Sequence, residues 1–205
     1  MNHPSTYRTL AAPAYAEFKD KGSRFLAFAY PLCRAGDLKN LLEPLQKEHF
    51  KAVHHCYAYR LGHEGNDFRA NDDGEPSGSA GRPILGQIDS FELTDAAVIV
   101  VRYFGGTLLG VPGLIHAYKT ATREALNGAQ IVELARRRRL SIECDYALLS
   151  EVLRQLKIAE ADILEQDLQL QCRILADVPL ANEAACKSAL AKHHTIIVHS
   201  PVDTL

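Results

Sequence analysis

Long hydrophobic runs are missing from this sequence. The longest uninterrupted aliphatic stretch, Ala96 to Val101, spans six residues, against the roughly 20 that a helix needs to cross a bilayer. A transmembrane helix is therefore not expected. The N-terminal segment MNHPSTYRTLAAPAYAEFKD lacks both a basic region and an apolar core, so no secretory signal peptide is visible and a cytoplasmic location is expected. The five cysteines, Cys33, Cys56, Cys144, Cys172 and Cys186, contain no C-x-x-C pair and are widely scattered. A disulfide framework or a structural zinc knot is not expected on that count. Charge of one sign is not in excess either: the net charge is −2 and the pI about 6.5, which removes any global electrostatic argument for nucleic-acid binding. No internal repeat or low-complexity segment is present.

What remains is the composition of a globular protein, with 205 residues, 47% hydrophobic and 23% charged, enough for one large domain or two small ones. Ser23 to Tyr30, Val53 to Leu61 and Asp95 to Phe104 read as strands. Leu38, Leu41, Leu42 and Leu45 repeat at helical spacing behind Asp37 as N-cap, with Pro44 expected to kink or shorten that helix. Residues 62–83 read as a long functional loop. Pro112 reads as the first helical residue of a segment striped by Leu114, Tyr118, Ala121 and Ala125 and closed by Gly128. This order, β-α-β-loop-β-α, suggests a sheet with helices on one side. Beyond the run Arg136 to Arg139 a second pattern begins. Leu140, Ile142 and Cys144 alternate with polar residues, a helix follows, and Leu168, Leu170, Cys172, Ile174, Ala176 and Val178 alternate strictly. Asn182 to Lys192 reads as a helix and Thr195 to His199 as a strand. The expected architecture is α+β in two domains, residues 1–138 and residues 139–205, the second in β-α-β-β-α-β, ferredoxin-like order.

Several motifs resemble chemical sites and fail on inspection. DDGEPSGSAGRP, Asp72 to Pro83, cannot be an EF-hand loop, because Arg69 falls at the first ligand position and Ala80 where the bidentate Glu belongs. Its Ser77-Gly78-Ser79-Ala80-Gly81 is not a nucleophile elbow, since no strand precedes it. Gly105 to Gly110 has phosphate-loop spacing, but Val111-Pro112 stands in place of Lys-Ser/Thr. A Gly-Gly turn entering a helix N-terminus, a setting that favours anions, survives. His54 and His55 are adjacent on a strand and so point to opposite faces. Arg102 next to Tyr103-Phe104 suits phosphate or stacked-base contact, and the four-arginine run is a further phosphate-contact candidate.

Four segments carry a resemblance: Lys21-x-Ser23-Arg24-Phe25; His54-His55-Cys56; Asp72-Asp73-Gly74-Glu75-Pro76-x-Gly78-x-Ala80-Gly81-x-Pro83-Ile84-Leu85; and Val101-Arg102-Tyr103-Phe104-Gly105-Gly106-x-x-Leu109-Gly110. In order and spacing they resemble the IMPACT family in its bacterial branch. Pro112, Ser79 and Phe104 depart from the family's usual Gly, Thr and Tyr. The resemblance implies an N-terminal βαβ-containing domain like those of ribosomal proteins and elongation factor G, and a C-terminal domain similar to the last domain of elongation factor G. It further implies a non-enzymatic factor, since the eukaryotic relatives regulate translation by binding protein partners. The motif positions Arg24, Arg102, Tyr103, Gly105, Gly106, Gly110, Ser77, Ser79 and Arg82 become candidate binding residues. The first expectation is a cytosolic factor that binds RNA or the ribosome through a local basic surface, with no metal, no cofactor and no membrane contact. One alternative is a hydrolase with His54 or His55 as base and Asp72, Asp73 and Glu75 as acid or metal ligands. The other is a protein-interaction module using the DDGEP segment.

Overall fold

The computed structural model of the protein describes residues 5–62 and 64–200. The chain divides into two compact units, Tyr7–Leu134 and the part from Ala135 onward, to which Ser5 and Thr6 also belong. In chain order the first unit contains, apart from the end residues Thr6 and Ala135 of its outer strands, β1 (Thr6–Leu10), β2 (Ala14–Asp20), β3 (Ser23–Pro31), α1 (Leu38–Glu48), β4 (His54–Leu61), β5 (Asp67–Asn71), α2 (Gly81–Ser90), β6 (Ala96–Tyr103), α3 (Gly110–Asn127) and β7 (Ile131–Ala135). The second contains β8 (Arg137–Asp145), α4 (Leu149–Ile158), β9 (Asp162–Leu168), β10 (Gln171–Pro179), α5 (Leu180–Leu190) and β11 (Ile197–His199). The protein is α+β, with several antiparallel sheets. No helix among the described residues is long and apolar enough to cross a membrane.

The main sheet of the first unit runs β2-β3-β6-β4-β5. β3 and β4 each pair antiparallel with β6, which lies between them. They are therefore parallel to one another, and α1 is the crossover of a split βαβ unit. β6 is buried along nearly its whole length, which is why its sequence is a continuous apolar run instead of an alternating one. Ala96, Val98 and Val100 pack with Phe25, Ala27, Cys56 and Ala58 against α2 and α3. Ala97 and Ile99 pack with Tyr57 and Tyr59 against α1. The sheet is thus covered on both faces, a correction to the one-sided layer expected from the sequence.

The corrections share one cause, weak local signal at edges and starts. β5 is an exposed edge strand inside the segment expected to be loop, and β2 is an edge strand in which Ala14 and Ala16 and three charged residues leave little apolar signal. α2 begins GRP, which reads as a turn, yet Pro83 is its third residue, where a missing N–H costs no helical hydrogen bond. Pro112 likewise is the third residue of α3 and not the first. Pro44 does not shorten α1, which continues to Glu48. Pro44 and Asn40, whose carbonyl loses its partner, are both exposed, so water can satisfy the freed group.

In the second unit the order is β-α-β-β-α-β, with strands arranged β11-β8-β10-β9. Cys144 and Cys172, Ile142 and Ile174, and Leu140 and Ala176 face one another across β8 and β10, all buried in a core completed by Val152, Leu156 and Leu190. The alternation expected to begin at Leu168 starts instead at Cys172. Leu168 ends β9, and Leu170 is 94% exposed between the two strands. The arginine run enters β8, where Arg137 pairs with Asp162 at 2.9 Å, Arg138 with Glu183 at 3.3 Å and Arg139 with Asp177 at 2.9 Å.

Candidate functional site

The register of β4 and β6 sets His54 directly opposite Arg102, one step beyond the buried pair Cys56 and Val100. Side-chain alternation turns both toward the α2 and α3 face, so the apolar core on that face gives way to polar groups at one end. The turn between β5 and α2 then folds Glu75 over them. It requires left-handed backbone at Asp73, with φ 43°, and at Gly74, with φ 84°. Glycine suits the second position because it adopts that left-handed conformation without strain.

Glu75 is buried, and its Oε1 accepts hydrogen bonds from Arg102 Nη1 at 2.6 Å and from the Tyr118 hydroxyl at 2.7 Å. Its Oε2 lies 3.8 Å from His54 Nε2. His54 Nδ1 faces the Asp73 carbonyl at 2.6 Å, and a carbonyl can only accept, so Nδ1 carries the proton. Arg102 is 6% exposed and sits between the rings of Phe25 and Phe104, 5.6 and 5.8 Å from their centroids. Its Nε is buried without a hydrogen-bond partner. Behind Glu75 the Cys56 thiol lies 3.3 Å from the Tyr118 hydroxyl and 3.0 Å from the Asp72 carbonyl. Burial pushes the pKa values of both Cys56 and Tyr118 well up, so both are neutral groups. Tyr118 is the participant that helical spacing alone did not reveal. A hydroxyl-bearing residue in an otherwise apolar stripe was the available signal.

The other acidic candidates are turned to the backbone. Asp72 Oδ1 accepts from the N–H groups of Ala80 and Gly81 at 3.0 and 2.8 Å, and its Oδ2 from Gly78 at 2.8 Å. Burial works to raise its pKa, but these three donors outweigh burial and hold it below the ordinary carboxylate value. Asp72 thereby caps the start of α2 from outside the helix. Asp73 Oδ2 accepts the backbone N–H of His55 at 2.6 Å. Neither carboxylate joins Glu75 in a ligand set, and among the described residues no group of three or more His, Cys, Asp and Glu side chains could hold a metal ion.

His55 faces the opposite side of the sheet, buried near α1, as strand alternation requires. Burial lowers its pKa, against the opposing pull of the Asp73 carboxylate. Tyr103 is also turned away from Arg102. Its hydroxyl lies 3.0 Å from His49 Nδ1, and its ring lies 5.7 Å from the guanidinium of Arg24, which donates to Glu17 at 2.7 Å. The single arginine-aromatic surface expected from Arg102 and Tyr103 is therefore split between two faces. Ser77 and Arg82 are exposed, and Ser79 is buried with its hydroxyl on the Pro76 carbonyl at 2.6 Å.

His54, Glu75 and Arg102 form the floor of a cleft of about 460 Å³. Val53, Phe104, Leu108, Val111 and Leu114 provide its apolar walls, and Gly110 brings the start of α3 to its edge. Gly105 and Gly106 lie outside the lining and shape the approach. A Cβ at Gly105 would stand 1.9 Å from the Gly22 carbonyl carbon, so only glycine lets the β6–α3 connection pass the β2–β3 turn. The structure thus gathers His54, Glu75, Arg102 and Gly110, and leaves Arg24, His55, Asp72, Asp73, Tyr103, Ser77, Ser79 and Arg82 outside.

Comparison with known proteins meets the chain at this point. The Impact N-terminal domain matches residues 21–126, a span that contains every residue of the cleft. The chain is similar to IMPACT family member YvyE of Bacillus subtilis, 34% identical over 74% of this chain and 70% of that protein. It is similar to IMPACT family member YigZ of Escherichia coli, 30% identical over 88% and 90% of the two chains. A crystal structure described as that of a hypothetical protein superposes with a TM-score of 0.78 and 27% identity, covering 98% of this chain and 99% of the other.

Proposed function

This chain belongs to the IMPACT family, and from that premise we propose that it is a binding factor connected with translation, whose N-terminal cleft receives an apolar segment of a protein partner. One observation carries this reading. A formed cleft is rimmed by large apolar side chains left in water, with Leu108 83% exposed, Val53 53% and Phe104 47%. Contiguous exposed apolar surface around a concavity is the usual mark of a binding site. The ferredoxin-like reading of the second unit and the ribosomal-protein likeness of the first are consistent with a role at the ribosome. A direct RNA contact is less well supported, because Arg24, Arg137, Arg138 and Arg139 each already face a carboxylate.

The hydrolase reading is second, and the approach of His54 Nε2 to Glu75 Oε2 favours it. It is weaker because Glu75 Oε1 is already held by two donors and the other candidate carboxylates face backbone. The test is co-sedimentation with ribosomes across roughly 50–300 mM salt, comparing the wild type with Leu108→Asp. An apolar protein contact holds across that range and is lost with Leu108→Asp. A phosphate contact instead weakens steeply with salt whatever stands at Leu108. No sedimentation at any salt overturns the proposal.

A further inference from the structure

We infer that the cleft holds its occupant by an acidic group carried on an apolar body, seated between the Arg102 guanidinium and the first-turn N–H groups of α3. This rests on the reading of the cleft as a binding site and names the chemistry it would select.

The first support is the state of Arg102. A guanidinium has five N–H donors, and burial at 6% exposure removes most of the water that would otherwise meet them. Glu75 takes one, on Nη1, and Nε has no partner. Nε is sealed from the cleft, but Arg102 lines it, and Glu75 engages only one of the guanidinium's other donors; carboxylates and phosphates match the geometry of those that remain. The second support comes from α3. This 18-residue helix begins at Gly110 with no side chain capping it. The N–H groups of Gly110 and Val111 have no intrahelical acceptor, and both residues line the cleft. Pro112, next in line, has no N–H to leave unmet. Together with the helix dipole this end favours negative charge.

Glu75 does not cancel that preference. Its charge is matched by Arg102 and the Tyr118 hydroxyl. Its remaining oxygen lies 3.8 Å from His54 Nε2. A neutralised pair plus a helix N-terminus leaves an anion as the favoured occupant. The walls of Phe104, Leu108, Val111 and Leu114 specify the rest of the molecule as apolar.

The test is an amide-resolved NMR titration of the full chain with four probes that share one ring: phenylacetate, phenyl phosphate, phenylacetamide and phenethylamine. The expected result is that an acidic probe binds about tenfold or more tighter than the neutral amide and shifts the Gly110 and Val111 resonances. The tighter of the two acids identifies the head group. Inorganic phosphate serves as the control for the apolar body and should bind more weakly than phenyl phosphate. Arg102→Lys should weaken both acids, and the wild-type shifts carry the test if that variant fails to fold. Equal binding of acid and amide, tighter binding of the amine, phosphate matching phenyl phosphate, or shifts that bypass α3 each overturn the inference. Acid binding together with ribosome association indifferent to Leu108→Asp would keep this inference and remove the protein-partner reading. The reverse pattern removes the inference alone.

Discussion

Both units of the protein contain arginine–carboxylate pairs between neighbouring elements, yet they place them oppositely. In the first unit Arg102 and Glu75 meet at 2.6 Å with side chains 7% and 3% exposed. In the second, Arg139 with Asp177 and Arg173 with Glu143 meet at 2.9 and 2.8 Å on the outer face of the sheet, their arginines 54% and 68% exposed. Distance therefore says little about what a pair does, and desolvation says more. The exposed pairs tidy a solvated face above a core that is wholly apolar. The buried pair interrupts a core and sits at the floor of a cleft, and hydrophobic replacements of such buried pairs often cost little stability or none. A polar cluster retained in such a place points to binding or chemistry and not to stability.

The largest expected effect follows from breaking the buried pair. Arg102→Ala should destabilise the first unit by about 3–5 kcal/mol, because Glu75 is left charged and desolvated with only Tyr118 as donor. Hydrogen exchange read separately in β4–β6 and in β8–β10 would locate the loss. The double variant Glu75→Leu with Arg102→Met should recover most of it, since no uncompensated charge remains. A double variant as unstable as the single would mean that the pair is a structural keystone, and the contrast between the units would then lose its functional meaning.

A smaller effect is expected from His55, on the other side of the same sheet. Burial holds its pKa below the ordinary value, with the Asp73 carboxylate opposing and His49 and His54 assisting. The folded protein thus keeps His55 neutral at a pH where the unfolded chain, titrating near 6.5, already binds a proton. Below about pH 6.5 proton uptake by the unfolded chain offsets part of the folding free energy, so stability falls as pH drops through that window. The measurement is the urea midpoint between about pH 7.5 and 5.5 for the wild type and His55→Asn. The variant should show a flatter profile, and identical slopes would place the titration elsewhere.

Much of this was legible in the residues, and the remainder was hidden for identifiable reasons. β3, β4 and β6 announce themselves because central strands bury both faces and are rich in apolar and aromatic residues, nearly unbroken in β6. β10 does so because one face is wet and its period of two survives. The edge strands β2 and β5 lack that signal, and α2 conceals itself behind Gly81 and Pro83. In the cleft, His54, Glu75, Arg102 and Gly110 stood out as residue types in suggestive company. What sequence could not convey was register. Only the pairing of β4 with β6 makes His54 the neighbour of Arg102. Only the left-handed turn at Asp73-Gly74 sends Glu75 inward while Asp72 and Asp73 bind backbone N–H groups. The three carboxylates of DDGEP look equivalent on paper, and backbone geometry divides them into two structural groups and one functional candidate.

The smallest expected effect is the sharpest check on the contrast between the units. Glu143 Oε1 accepts from Arg173 at both Nε, 3.1 Å, and Nη2, 2.8 Å, which is as good a geometry as the buried pair offers. The Arg173 side chain nevertheless remains 68% in water. Its charge stays solvated when the partner is removed, and salt screens what attraction there is. Glu143→Gln should therefore change the stability of the second unit by less than about 1 kcal/mol, with the residual effect fading further at high ionic strength. A loss approaching that of Arg102→Ala would mean that hydrogen-bond geometry, and not burial, sets the worth of these pairs. The Glu75–Arg102 pair would then be an ordinary strut, and the cleft above it would have to be judged on its apolar walls alone.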